Sequence, residues 1–140
     1  MTISEGQFTE LKNAAKAAAA FSYSPYSKFP VGAAVLAESG KIYAGCNVEN
    51  ASFGLCNCAE RTALFTAAAQ GERAISCVAV YTPTTAPTAP CGACRQVINE
   101  FGPAARVFSF CKSEVVIDTT LEQLLPNAFG PKNLAGANAS

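Results

Sequence analysis

Two short cysteine motifs, Cys58-Ala59-Glu60 and Pro90-Cys91-Gly92-Ala93-Cys94, constrain this chain more than any other part of its sequence. Cys58 stands just before a helical stretch that runs from about Ala59 to Gln70 and is stopped by Gly71. Pro90 suits the start of a second helix, which runs to about Phe101 and ends at Gly102-Pro103. Cys91 and Cys94 are three residues apart and share a face of that helix. Helix N-termini carry partial positive charge and lower thiol pKa, so both starts favour thiolates. A fold in which all three thiols act together must bring these two helix starts to one point.

Three thiolates with a carboxylate beside them suit a zinc ion. Three protein ligands and one open position mark a catalytic zinc, and four closed ligands a structural one. The parts taken singly have other readings. A lone Cys-x-x-Cys also serves as a redox pair after a strand, but that leaves Cys58 and Glu60 without a purpose. Cys56 could complete a closed four-cysteine knuckle, yet only one residue separates it from Cys58, where such sites prefer two to four. Glu60 alone would be an ordinary first-turn carboxylate facing a helix dipole. Beside a metal it can take a proton from water and deliver it to a leaving group, for which an amine on a carbon of a C=N system is the natural target.

Zn²⁺ with three thiolates carries a net −1, which makes water harder to deprotonate than at a site of neutral ligands. Arg61, three residues after Cys58, lies on the same helical face and can return positive charge to the sulfurs. Its other reading is a solvated surface arginine.

Composition narrows the class. The chain has 140 residues, half of them hydrophobic, which fits one domain over 1–140 with a tail that loosens after about 134. It has no histidine, so Ser-His-Asp and Cys-His nucleophilic sites are excluded. Ten acidic and ten basic residues leave no basic excess for a polynucleotide. Apolar runs such as Ala17 to Phe21 are too short to cross a membrane, and Glu5 and Glu10 sit where a signal peptide would be basic. A soluble, cytoplasmic protein is expected. Seven cysteines, an odd number, argue against a disulfide scaffold in that setting. Cys46, Cys77 and Cys111 lie in apolar, strand-like runs and read as small buried side chains.

The remaining elements follow from punctuation. Ser4 and Gln7 form a capping box for an Ala-rich helix ending near Phe21. Val31 to Ala37 and Lys41 to Val48 read as a hairpin turning at Ser39-Gly40, and Ile75 to Tyr81 as a strand. Thr82 to Pro90 is a loop over a site. Arg106 to Cys111 and Glu114 to Ile117 read as strands, a capping box at Thr119 to Glu122 as the start of a short helix, and the tail from Pro126 as loop. Helices alternating with strands give an α/β layered sandwich whose initial hairpin makes the sheet mixed.

Five stretches closely resemble the small, zinc-dependent cytidine deaminases of the homotetrameric, three-cysteine type. They are Tyr26 to Ala34, Gly45 to Ala51, Cys56 to Ala63, Pro90 to Val97 and Leu124 to Phe129, within a match from about Ala19 to Gly130. The resemblance implies a three-layer α/β/α sandwich with a five-stranded sheet. It implies hydrolysis of cytidine and deoxycytidine to uridine and deoxyuridine with release of ammonia, a step of pyrimidine salvage. Cys58, Cys91 and Cys94 would hold one zinc per subunit, and Glu60 would carry the proton. Asn47 and Glu49 match a ribose-binding pair, Phe29 an aromatic packed on the pyrimidine, and the Ala59 N–H a donor to the base. Phe129 matches a residue that enters a neighbouring subunit's site. Asn47 and Glu49, two apart at a strand end, would also point the same way and offer donor and acceptor to sugar hydroxyls. Phe53 departs from the family, where many relatives carry tyrosine. Two other readings stay open: a relative acting on nucleotides, polynucleotides or a cytosine-bearing antibiotic, and a non-catalytic zinc-binding interaction module.

Overall fold

In the computed structural model, which describes residues 3–137, the first capping box forms as its spacing predicts. Ser4 Oγ accepts from Gln7 N at 3.1 Å, and Gln7 Oε1 accepts from Ser4 N at 3.2 Å. Helix α1 spans Glu5–Ala19 and buries Leu11, Ala15 and Ala19, a row four residues apart. The chain then forms β1 (Gly32–Ala37), β2 (Ile42–Cys46), α2 (Ala59–Ala69), β3 (Ile75–Tyr81), α3 (Gly92–Phe101), β4 (Arg106–Phe110), β5 (Ile117–Thr120), α4 (Leu121–Leu124) and α5 (Pro131–Ala137).

The five strands lie in the order β2-β1-β3-β4-β5. β1 runs antiparallel to β2 and β3, β3 runs parallel to β4, and β4 runs antiparallel to β5. Alternation along the strands divides the interior in two. Ala33, Val35, Val78, Val80 and Val107 pack with Ala63 and Leu64 of α2 and Ile98 of α3. Ala34, Leu36, Cys77 and Ala79 pack with Leu11 and Ala15 of α1. Every residue of β1 is buried, as expected of a strand covered on both faces. The result is the expected three-layer α/β/α sandwich with a mixed sheet.

Two glycines let the helices settle this closely. A Cβ on Gly32 would lie 2.0 Å from Ala15 O and 2.6 Å from Ala19 N of α1, and one on Gly45 would lie 2.5 Å from Ala63 N of α2. These are backbone atoms and cannot swing aside. Gly32→Ala is therefore expected to destabilise at the top of the overpacking range, about 3 kcal/mol. Urea unfolding checks this, and an unchanged midpoint would mean that α1 slides freely on the sheet.

Four expectations need correction. The strand expected at Glu114 to Ile117 forms later, at Ile117–Thr120, where it leads into the fully buried Leu121 and where Arg106 bonds to Asp118 at 2.9 and 2.7 Å. Val115 and Val116 are left exposed in the turn. The second capping box uses Thr120 and Gln123, one residue after the expected pair. The tail is helical over Pro131–Ala137, started by Pro131 and by Asn133 Oδ1 accepting from Gly130 N at 2.8 Å. The loosening expected after residue 134 falls partly outside the described residues. Cys46, expected to be buried, is half-buried on β2 at the sheet edge, while Cys77 and Cys111 are buried as expected. All seven cysteines are free.

Candidate active site

Both cysteine motifs sit at helix starts that point to the same place. Cys58 is the N-cap residue of α2 and Cys91 that of α3, each in extended backbone and neither using its side chain as a cap. Their thiols are therefore free for other work, and the helix-start amides lie close by. Cys94, in the first turn of α3, is fully buried. The three sulfurs lie within 4.8 Å of one another, with Cys58 and Cys91 3.9 Å apart. Tetrahedral zinc with Zn–S bonds of about 2.3 Å needs sulfurs about 3.8 Å apart. The cluster fits that ion with little adjustment.

The electrostatics point to a cation as well. The Cys58 thiol is held down to about 5, first by a hydrogen bond from Cys94 and then by Arg61. Cys94 is pushed well above the ordinary thiol range, because it serves Cys58 as a donor and is itself buried. One thiolate in this cluster thus opposes a second, and a divalent ion removes the conflict. Arg61 Nη2 donates to Cys58 Sγ at 3.2 Å, which raises the Arg61 pKa and places its charge on the sulfurs as the spacing predicts.

Glu60 follows Cys58 by two residues and is 5% exposed. Burial is the main cause that pushes its carboxyl up to about 7, with the Cys58 charge adding to it. It lies in the wall of a cavity of about 400 Å³, within the size range of small-molecule sites. Phe29, Asn47, Glu49, Cys58, Ala59 and Cys91 share that wall. These side chains come from the loop before β1, the segment just after β2, and the starts of α2 and α3. Ser27 and Val31 beside Phe29, Val80 at the carboxyl end of β3, and Thr88 and Ala89 of the following loop complete the lining.

Asn47 and Glu49 face the cavity together, as their spacing predicts, yet both also brace the loop that carries Phe29. Asn47 Oδ1 accepts from Val31 N at 2.9 Å and from the Ser22 hydroxyl at 2.5 Å, and its Nδ2 donates to Phe29 O at 2.8 Å. Glu49 Oε1 accepts from Tyr26 N at 3.0 Å and Ser27 N at 3.1 Å, and its other oxygen accepts from the Ser27 hydroxyl. These donors, Ser27 first, hold the Glu49 carboxyl below its usual range. Lys28, at φ 59°, turns the chain between Ser27 and Phe29. Ser27 falls within the Tyr26 to Ala34 stretch, but nothing in the sequence assigns it this brace on Glu49. Phe129 lies outside the cavity, 59% exposed, its carbonyl taken by Gln96 Nε2 at 2.8 Å and Asn99 Nδ2 at 3.2 Å. Phe53 packs edge-on against Tyr26, with ring centroids 5.7 Å apart.

Three thiols on two helix starts, with a buried carboxyl at the wall of an open cavity, form the donor set of a zinc hydrolase. Sequence comparison gives the family. The family described as "Cytidine and deoxycytidylate deaminase zinc-binding region" matches residues 7–110. A cytidine deaminase of Sporosarcina psychrophila is 50% identical over 117 residues, 82% of this chain and 85% of that protein. One of Halalkalibacterium halodurans is 47% identical over 113 residues, 80% and 86% of the two chains. The crystal structure of the cytidine deaminase of Burkholderia pseudomallei superposes with a TM-score of 0.83 at 50% identity, covering 91% of this chain and all of that one. The chain belongs to the cytidine and deoxycytidylate deaminase family, and its Cys58–Cys91–Cys94 cluster is compatible with that family's zinc ion.

Proposed function

We propose that this enzyme hydrolyses cytidine and deoxycytidine to uridine and deoxyuridine, releasing ammonia, as a pyrimidine salvage step in the cytoplasm. One observation carries the reading: a buried carboxyl, Glu60, shares a cavity wall with Cys58 and Cys91 of the three-thiol cluster. Cys58, Cys91 and Cys94 would hold zinc, which would supply a Lewis acid that lowers the pKa of water at the site. The Glu60 carboxylate accepts the water's proton and passes it to the ring nitrogen, which makes the amine-bearing carbon electrophilic. The water oxygen adds to that carbon, and its second proton passes through Glu60 to the amine, which leaves as ammonia when the C–N bond breaks and the C=O bond forms. Phe29 packs on the pyrimidine, the Ala59 N–H orients the base, and Asn47 and Glu49 bind sugar hydroxyls through the amide hydrogen of Asn47 and the lone pair of Glu49 that their bracing contacts leave free. Arg61 balances the thiolate charge.

A nucleotide substrate is disfavoured, because no Lys or Arg is among the described lining residues and the Glu49 carboxylate would repel a phosphate. Loss of ultraviolet absorbance on adding cytidine or dCMP, with and without chelator, decides the matter. Turnover of cytidine that the chelator abolishes supports the proposal. No turnover of either compound by zinc-loaded protein would leave the non-catalytic module standing.

Arg61→Gln is expected to leave the thiolate charge uncompensated and to raise the pKa of the attacking water. The acidic limb of the activity–pH profile should move to higher pH. An unchanged profile would return Arg61 to a surface role.

The working unit is a homotetramer with shared sites in this reading. Phe21, Phe53, Leu55 and Phe129 are each more than half exposed, more large apolar surface than a solitary domain keeps without a partner. Phe129→Ala is expected to raise KM and loosen assembly together, with zinc retained. Light scattering and kinetics across a dilution series check this, and a fully active monomer at nanomolar concentration would refute it.

A further inference from the structure

Arg95, the residue after Cys94, makes two bonds that no part of the proposed chemistry uses. Its Nε donates to Pro90 O at 2.7 Å and its Nη1 to Leu124 O at 3.0 Å. The Pro90 carbonyl belongs to the peptide that joins Pro90 to Cys91. Its direction fixes the plane of that peptide and thereby where Cys91 leaves it. Pro90 has no N–H to anchor it, and among the described residues the backbone of 87–90 makes no other hydrogen bond to the protein. Cys91 is also the exposed member of the three-thiol cluster, held least by packing. The guanidinium is thus the polar tie that holds this ligand's peptide, and charge-assisted donors to carbonyl oxygens are among the stronger ties available.

The second bond reaches across the molecule. Leu124 closes α4, and the chain continues from it to Phe129. Gln96 and Asn99, one and four residues after Arg95 on α3, hold the Phe129 carbonyl. One face of α3 therefore grips both the approach to Cys91 and the arm from Leu124 to Phe129.

We propose that Arg95 is a positioning residue that fixes Cys91 for metal binding by bridging the Pro90 and Leu124 carbonyls. The proposal rests on the reading that Cys58, Cys91 and Cys94 hold zinc. Arg95 acts through Cys91 and touches neither the metal nor the substrate. Loss of such an outer contact typically weakens a metal site by about 10–100-fold. A lysine cannot replace the guanidinium fork, since its single ammonium does not span two carbonyls in fixed directions.

The test measures zinc release from the holoenzyme into a chromogenic chelator, with the visible spectrum of the cobalt-loaded protein as a second readout. Arg95→Met is expected to release zinc about 10–100-fold faster than the parent and to change the sulfur-to-cobalt bands. Arg95→Lys should release it faster to a smaller degree. The Gln96→Ala/Asn99→Ala double variant, which frees Phe129 but leaves Pro90 held, should release zinc at the parent's rate. Should Arg95→Met not fold, Arg95→Lys decides. A folded Arg95 variant with the parent's release rate and cobalt spectrum overturns the proposal, as does equally fast release from the double variant. A parent that carries no zinc at all would instead overturn the underlying metal-site reading, so the two failures are separable.

Discussion

Glu60→Gln is expected to keep the zinc and the fold while turnover falls by roughly 10²–10⁴-fold, the range for removing a general acid–base group. A residue that serves two successive proton transfers belongs at the upper end. Glutamine matches glutamate in size, so the first turn of α2 has no steric reason to shift, and Glu60 is not among the clustered metal-binding side chains. The amide can still donate and accept hydrogen bonds but cannot ferry a proton. The position suits that traffic. Burial pushes the Glu60 carboxyl up to about 7, so it gives up and regains a proton at little cost near neutral pH. Steady-state kinetics on cytidine, paired with zinc content and circular dichroism, check the expectation. Full zinc occupancy with near-parent kcat would remove Glu60 from the chemistry.

Much of this site was legible because its signals are local. Pro90, Gly71 and Gly102 punctuate the two helices, so Cys58 and Cys91 could be placed at helix starts with no knowledge of the sheet. Arg61 was legible for the same reason, since three residues along a helix define a face. The strand Ile75–Tyr81 is an apolar run between breakers, and its bounds came out as read. The misses share a different cause. β5 pairs with β4 in the register that sets Arg106 beside Asp118 and delivers the fully buried Leu121, while Val115 and Val116 stay exposed. Nothing near Asp118 in the sequence announces it. The brace formed by Ser27 on Glu49 depends on two segments meeting across the cavity mouth, and the bridge from Arg95 depends on where Leu124 falls. Residues whose role is to join distant segments carry no periodicity or spacing to read. Phe129 shows the limit from the other side: it lies outside the cavity and is 59% exposed, so within the described chain its ring fills no part of the site.

Removing the cysteines one at a time is expected to divide them sharply. Cys58→Ala, Cys91→Ala and Cys94→Ala should each lose zinc and with it activity, because two thiolates and water cannot hold the ion as three thiolates do. Cys94→Ala should be the most damaging, since Cys94 is fully buried and its loss also leaves a small cavity. Cys77→Ala and Cys111→Ala should keep zinc. Cys77 lies on the α1 side of the sheet, and burial pushes its thiol up to about 11, so it is not a thiolate at working pH. Cys46→Ala should also keep zinc, as the Cys46 thiol points to Phe21 O at 3.4 Å. Cys56 is the discriminating case. It stands two residues before Cys58, yet its sulfur accepts from Asn50 N at 3.3 Å and lies outside the three-sulfur cluster. Cys56→Ala should therefore retain zinc and at most loosen the turn that leads to Cys58. Metal content by atomic spectroscopy after gel filtration reads all seven variants. If Cys56→Ala strips the ion, the site is a closed four-cysteine knuckle with no open position for water, and Glu60 has nothing to take a proton from.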